Sequence, residues 1–263
     1  MEDYIDINRQ SWNKRAEIHP DSDFYEMALF RKGLNSLKAP ELKILGDVTD
    51  VRILHLQCHF GQDSISLSRM GAKVTGVDFS DTAIDYARQL ALDLGTDTAF
   101  ICSDIYSLPE ILEETFDMVF TTYGTIGWLP DIQKWASVVS HFLRPGGKLI
   151  FAEFHPTMWM FDDDISYVQY DYFNSTPIVE DLPGTYACPD SGHHFKSVTW
   201  NHGLGEVVSA LFGSKMTLES LEEYDYSPFN CLKNMEEQAP GIFRFKHISR
   251  RFPIIYALSA RKM

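Results

Sequence analysis

Between Val51 and Phe154 short apolar runs alternate with amphipathic stretches, and no other feature of this chain restricts its fold so far. VRILHL, AKVTGVDF, TAFICSD, FDMVFTTY and GKLIFAEF read as five strands, several of them apolar on both faces, as a parallel sheet covered by helices requires. Between them DTAIDYARQLALDLG sets Ile84, Ala87, Ala91 and Leu94 at helical spacing, with Ser80 as a cap before it and Gly95 closing it. DIQKWASVVSHFLRPGG repeats the pattern through Ile132, Trp135, Val139, Phe142 and Leu143 and stops at Pro145-Gly146-Gly147. SISLS, Ser64 to Ser68, alternates like a strand, but its place between two parallel strands demands a crossover helix. MTLESLEEYDY and FPIIYALSARK supply two late strands after the helix GLGEVVSALFG. The expectation is an α/β fold: a doubly wound, mostly parallel seven-stranded sheet.

Around that core the chain divides into an N-terminal helical cap over residues 1–45, the α/β core over 46–155, an insertion over 156–200, and a C-terminal helix with closing strands over 201–263. The insertion reads as an irregular stretch rich in Tyr, Phe, Pro and Asp, and a segment of that length inside a compact domain is usually functional. Its aromatics, Trp159, Phe161, Tyr167, Tyr172, Phe173 and Tyr186, suit a lid that excludes water, although most of them must also pack the insertion itself.

Charge narrows the partners. Lys and Arg number 23 against 37 Asp and Glu, a net charge of −14, and such a surface repels phosphate backbones and anionic lipid. Nucleic acid and membrane are therefore not expected. The acidic, polar opening MEDYIDINRQ and the lack of any apolar run near the ~20 residues of a membrane span point to the cytoplasm. Cys58, Cys102, Cys188 and Cys231 are scattered without zinc spacing and read as free thiols. Asp162-Asp163-Asp164 reads as a solvated turn, so no metal is expected. A monomer or simple homo-oligomer is anticipated.

In an open α/β sheet the ligand sits beyond the carboxyl ends of the strands, where strand order reverses. The loop after the first strand, in VRILHLQCHFGQDS, holds Gln57, His59 and Gln62 where a dinucleotide fold places its glycines, which opposes a pyrophosphate loop. The chain instead resembles the class I S-adenosylmethionine-dependent methyltransferases. In that family the first strand ends in an acidic residue followed by three glycines at alternate positions, and here those four places hold His55, Gln57, His59 and Gly61. Only the last glycine is kept. VTGVDFS puts Asp78 at the end of the second strand, where the family's acidic residue accepts the ribose hydroxyls, with Phe79 and Ser80 following. FICSDIYSLPE puts Asp104 at the adenine position beside Ser103 and Ile105, FDMVFTTYGTIGWLPD resembles the fourth motif, and LRPGGKLIFAEF the fifth-strand turn.

The resemblance implies S-adenosylmethionine as cofactor, held by Gln57, His59, Phe60, Gly61, Asp78, Phe79, Ser80, Ser103, Asp104, Ile105 and Thr122, with Trp12 from the stretch NRQSWNKRAEIHPDSDFY covering it. A Cβ at Gly61 is expected to intrude on the cofactor while sparing the fold. The implied reaction is in-line methyl transfer to a small molecule, which depends mainly on positioning. Where the acceptor carries a proton, His155 after the fifth strand and Tyr123 after the fourth are the candidate bases. The alternative is a non-catalytic protein binding S-adenosylmethionine or S-adenosylhomocysteine on the same fold; a nicotinamide-dependent oxidoreductase comes third, against the loop spacing.

Overall fold

The structure is a computed structural model that describes residues 4–263. It begins with helices α1 (Tyr4–Ile18), α2 (Met27–Arg31) and α3 (Ala39–Leu45), then alternates β1 (Arg52–Leu56), α4 (Gln62–Arg69), β2 (Lys73–Asp78), α5 (Asp81–Leu94) and β3 (Ala99–Cys102). β4 (Phe116–Thr122), α6 (Ile132–Phe142) and β5 (Leu143–Phe154) complete the parallel part, and SISLS lies within α4, the helix its context demanded. Next come β6 (Ile178–Pro183), β7 (His194–Thr199), α7 (Leu204–Gly213), β8 (Met216–Tyr224), β9 (Met235–Ala239), β10 (Ile242–Phe245) and β11 (Ile255–Lys262).

Seven strands form the main sheet in the order β3-β2-β1-β4-β5-β11-β8. β1 pairs parallel with β2 and β4, while β11 runs antiparallel to both β5 and β8. The order reverses between β1 and β4, so the ligand-bearing crevice of an open sheet falls beyond Leu56 and Thr122.

Alternation along the strands sorts side chains to the two faces. Leu54, Leu56, Val119, Leu149 and Phe151 pack with Trp135, Val139 and Phe142 of α6 and Val207 and Leu211 of α7. Ile53, Val74, Phe120 and Ile150 point the other way, against Ile44 and Leu45 of α3 and Leu67 of α4. Each fully buried large side chain contributes on the order of 1.5–3 kcal/mol relative to leaving it in water.

The insertion is less irregular than its composition suggests: β6 and β7 form an antiparallel hairpin in register from Ile178 opposite Thr199 to Pro183 opposite His194. It docks on the cap through Asn8, whose Nδ2 donates to Val198 O at 2.8 Å and whose Oδ1 accepts from Val198 N at 2.9 Å. A second hairpin, β9–β10, lies between β8 and β11 and was not anticipated, because MEEQA and IFRF are short and lack a clean apolar alternation. Among the described residues no helix is long and apolar enough to cross a membrane, and no group of three or more His, Cys, Asp or Glu is placed to hold a metal ion. Asp162 instead accepts the backbone N–H groups of Ser166 and Tyr167 within its turn.

Candidate active site

The loop after β1 keeps a glycine-type backbone without the glycines. Gln57, His59 and Gly61 adopt φ of 56°, 50° and 81°, so all three alternating positions are left-handed. For the two non-glycine residues this costs about 1 kcal/mol each, and local bonds hold them there. Gln57 Nε2 donates to Thr125 O at 2.8 Å, His59 N donates to Asp78 Oδ2 at 2.8 Å, and Cys58 N donates to Val77 O at 2.9 Å. The side chains are thereby aimed, and Gln57 Oε1 and His59 Nδ1 are buried with no hydrogen-bond partner. Burying a polar atom unpaired costs on the order of 1–3 kcal/mol, so these two atoms mark where an incoming polar group would be received.

Asp78 lies at the end of β2 beside this loop. Its Oδ2 accepts from His59 N and its Oδ1 from Ser80 N at 2.9 Å. Burial pushes its carboxyl up to about 6, against these backbone bonds, which favour the ionised form. Asp104, after β3, is half-buried and accepts from the N–H and hydroxyl of Ser107, while Ser103 Oγ donates to Asp104 O. Phe79 is half-buried beside them. Thr122 is buried at the end of β4.

Several predicted site residues have structural duties. Ser80 is fully buried: its hydroxyl accepts from Ala83 N as the cap of α5 and donates to Asn13 Oδ1 at 2.6 Å, so it has nothing to offer a ligand. Phe60 is also fully buried, packed with Ala83, Ala87 and Phe100, and Ile105 lies in the core on the opposite face; only their backbones are available. Gly61 corrects the sequence expectation outright. A Cβ there would lie 2.6 Å from Phe100 Cζ and 2.9 Å from Ala87 Cβ, so the clash is with core rather than cofactor. Phe100 also closes over Gly76, and the glycine is needed for helix-to-strand packing.

Both predicted bases are engaged by carboxylates of other elements. Tyr123 (φ 45°) donates its hydroxyl to Glu41 Oε2 of α3 at 2.6 Å and packs between Phe154 and Phe229. Glu41 is itself buried and is pushed up to about 7 by desolvation. His155 has its Nδ1 2.9 Å from Thr157 Oγ1, and its buried Nε2 lies 3.0 Å from Glu223 Oε1 of β8, on the antiparallel side of the sheet, as a charge contact without hydrogen-bond geometry. Neither side chain presents a free base to the β1–β4 crevice.

The cap and the insertion close over the loop. Trp12 sits edge-on to His59 and Trp128, at centroid distances of 5.1 and 5.2 Å. His19 Nδ1 lies 3.2 Å from His59 Nε2, His19 Nε2 lies 3.0 Å from Thr185 Oγ1, and the hydroxyls of Tyr25 and Tyr186 meet at 2.5 Å. Burial, and secondarily the nearby Arg15, hold His19 down at about 3; burial, His19 and Arg15 hold His59 well below the usual histidine range. The imidazole pair is therefore neutral around pH 7. Sequence reasoning singled out Trp12 and Tyr186 but missed Arg15, His19, Tyr25, Trp128 and Phe195, since contacts between segments far apart in the chain, such as His19 with Thr185 and Tyr25 with Tyr186, leave no local spacing to read. It also missed Glu153, whose one signal is a carboxylate inside the apolar strand LIFAEF.

Residues 53–147 match the family model described as a methyltransferase domain. An S-adenosylmethionine-dependent methyltransferase from Mesorhizobium loti superposes with a TM-score of 0.58 at 21% identity, covering 84% of this chain and 95% of that one. One from Clostridium acetobutylicum gives a TM-score of 0.59 at 14% identity, covering 95% and 98%. This chain has the class I methyltransferase fold. Curated proteins with sequence similarity to this chain include the ubiquinone biosynthesis O-methyltransferases of Nitrosococcus oceani, 26% identical over 146 residues, and Alkalilimnicola ehrlichii, 30% identical over 142 residues. The matches span 56% and 54% of this chain and 57% and 53% of those proteins, so the likeness covers only about half of each length.

Proposed function

We propose that this protein is an S-adenosylmethionine-dependent methyltransferase acting on a small molecule, with residues 156–200 as its lid. The observation that carries the reading is the pair of orphaned atoms, Gln57 Oε1 and His59 Nδ1, one strand away from the buried carboxylate of Asp78 and roofed by Trp12. Bound there, S-adenosylmethionine would supply a methyl group already activated on a sulfonium centre. Asp78 offers acceptor oxygens suited to a vicinal diol, Asp104 suits an exocyclic amine, and the Gln57 and His59 side chains suit the polar amino-acid end. This assignment fits a loop whose left-handed turns are made by side-chain-bearing residues that can themselves reach a ligand.

The chain's contribution to rate is orientation and water exclusion, for which the aromatic roof over His59 is suited. With Tyr123 and His155 held by Glu41 and Glu223, the reading favours an acceptor whose attacking atom needs no strong base at neutral pH. Calorimetry with S-adenosylhomocysteine, then transfer of a labelled methyl group across a panel of small acceptors, tests the proposal. Saturable binding with transfer to at least one acceptor is expected; no binding of S-adenosylhomocysteine would overturn it, and binding without any transfer would favour the non-catalytic alternative.

A further inference from the structure

The acidic balance of the chain has a local exception. Between Gln238 and Met263 there is no Asp or Glu, and IFRFKHISRRF places Arg244, Lys246, Arg250 and Arg251 in one short stretch. The fold gathers these four around a cavity of about 300 Å³ beside the β9–β10 hairpin. Only two carboxylates, Asp225 and Glu236, join them, so the lining carries an excess of two positive charges in a protein whose net charge is −14. Asp225 is shared between two guanidiniums: its Oδ1 accepts from Arg244 Nη2 at 2.7 Å and its Oδ2 lies 2.9 Å from Arg251 Nη1. Arg244 is fixed further by donating to Asp225 O at 3.2 Å and to Gln238 Oε1 at 3.1 Å. Lys246 and Arg250 are exposed and, among the described residues, enter no ion pair. An excess of one sign around a concavity concentrates ions of the other sign there.

The rest of the lining narrows the kind of anion. Phe245, Phe252, Ile248 and Ile254 supply an apolar part, in which the rings of Phe245 and Phe252 stack with centroids 6.1 Å apart and planes 2° apart. Pockets for small molecules begin at about this volume, whereas a flat polyanionic surface has no use for a concavity. Guanidinium forks beside an ammonium are the donors that recognise phosphoryl oxygens. A phosphate monoester carries close to two negative charges at pH 7, which is the excess of the lining, while a single carboxylate leaves half of that excess unmatched. Every lining residue falls between Asp225 and Ile254, and none comes from the loops after β1, β2, β3 and β4 that hold the cofactor candidates. We propose that this cavity is a second binding site, one that takes the phosphoryl group of a small molecule with an apolar portion. The proposal stands on the cavity and its charges and is independent of the methyltransferase reading.

Calorimetry on the whole chain with phenyl phosphate, with benzoate as a singly charged counterpart and phenol as a neutral one, tests the site. Wild type is expected to bind phenyl phosphate saturably, benzoate at least about tenfold more weakly, and phenol not at all. Lys246→Met and Arg250→Met change exposed, unpaired side chains on which the fold does not depend, and each should weaken phenyl phosphate at least about fivefold. Arg250→Lys, which keeps the charge without the planar fork, should recover part of that loss. Lys73→Met removes the same charge from β2, on the other side of the sheet, and should change the affinity less than about twofold, because solvent screens a charge at that distance. Saturating S-adenosylhomocysteine should leave phenyl phosphate affinity within about twofold; displacement by it would put the anion in the crevice and overturn the proposal. Absence of saturable binding, equal affinity for benzoate, or an equal loss in all three Met variants overturns it as well. Sedimentation with vesicles containing phosphatidic acid tests the other source of the same group. The protein is expected to stay in solution; pelleting that is lost when Lys246 and Arg250 are changed would assign the cavity to a lipid headgroup and not to a small molecule.

Discussion

The turns that follow β1 and β4 flank the same crevice and share the same backbone device, yet they are finished differently. After β1, Gln57, His59 and Gly61 are left-handed; after β4, Tyr123 and Gly124 are. The β4 turn is completed from within. Glu153, 2% exposed at the end of β5, accepts the N–H groups of Gly124, Thr125 and Ile126 at 2.5, 2.7 and 3.2 Å, the Thr125 hydroxyl at 3.1 Å and its neighbour Phe154 N at 2.7 Å. The β1 turn leaves two buried side-chain atoms unpaired. One side of the crevice is a rigid wall built before any ligand arrives, and the other is a surface that a ligand completes. Substitutions in the first should therefore cost stability and substitutions around the second should cost binding.

The largest effect is expected at Glu153. Glu153→Ala strands several buried N–H groups at once, and at 1–3 kcal/mol for each unsatisfied group, partly relieved by water entering the gap, the fold should lose about 4 kcal/mol. Urea unfolding measures this directly. A loss below about 1 kcal/mol would mean that the β4 turn is held by its neighbours and that the contrast between the two turns is false.

Gly61 sharpens the comparison because it sits in the binding turn but should behave like the wall. Gly61→Ala combines a φ of 81° with a Cβ 2.6 Å from the Phe100 ring, and should destabilise the protein by about 2–3 kcal/mol whether or not S-adenosylhomocysteine is present. Adding Phe100→Leu should recover part of the loss. A near-normal melting point with lost ligand stabilisation would restore the sequence expectation that the glycine faces the cofactor.

That expectation shows where the sequence stops being informative. The seven strands, the reversal between β1 and β4 and the acidic ends of β2 and β3 were legible because strand periodicity and strand-end position are local properties. Gly61 was placed correctly in the chain, but what its missing side chain spares is Phe100, 39 residues away on β3, and no pattern announces that neighbour. The β1 loop looked deficient because glycine is the usual sign of a left-handed turn, whereas Gln57 and His59 adopt the same angles when Thr125 and Asp78 hold them. The roles of Glu153 and Arg15 went unread for a related reason: what a buried charge does is set by its surroundings, and those come from distant segments.

On the binding side, Asp78→Ala is expected to weaken S-adenosylhomocysteine by about tenfold to a hundredfold, roughly 1.5–3 kcal/mol, while Asp81→Ala, exposed at the start of α5, changes it little. Titration gives a second test with opposite signs for two observables. The folded Asp78 carboxyl lies at about 6 against 3.8 as the reference value, so folding favours its protonated form. Its contribution to apo stability therefore rises as pH falls from about 6 towards 4. Ligand affinity should fall over the same interval, because only the carboxylate keeps a further lone pair on each oxygen, beyond those bonded to His59 N and Ser80 N, to accept from a diol. Comparing Asp78→Asn with wild type isolates this contribution from the histidines. His19, held at about 3, has the reverse sign: its unfolded form takes a proton below about 6.5 and the folded form does not, so stability is lost as pH falls. Affinity independent of pH in wild type would remove Asp78 from the ligand's contacts.

The smallest effect is expected at His155, and it matters because the sequence alone makes this residue a catalytic candidate. Its ring lies between Thr157 and Glu223 and edge-on to Tyr256, with burial holding its proton affinity below the usual histidine range and Glu223 partly opposing that shift. Glu223 is half-exposed, so solvent screens the pair and its worth to stability is at most about 1 kcal/mol. His155→Gln should therefore lower stability by no more than that. It should leave S-adenosylhomocysteine affinity within about twofold, and change labelled methyl transfer to any acceptor found in the panel by less than about threefold. A hundredfold fall in transfer at unchanged affinity would mean that the imidazole swings from Glu223 into the crevice when both reactants are bound. The rigid side of the crevice would then include a moving base, and the division between a finished wall and an unfinished binding surface would have to be redrawn along β5.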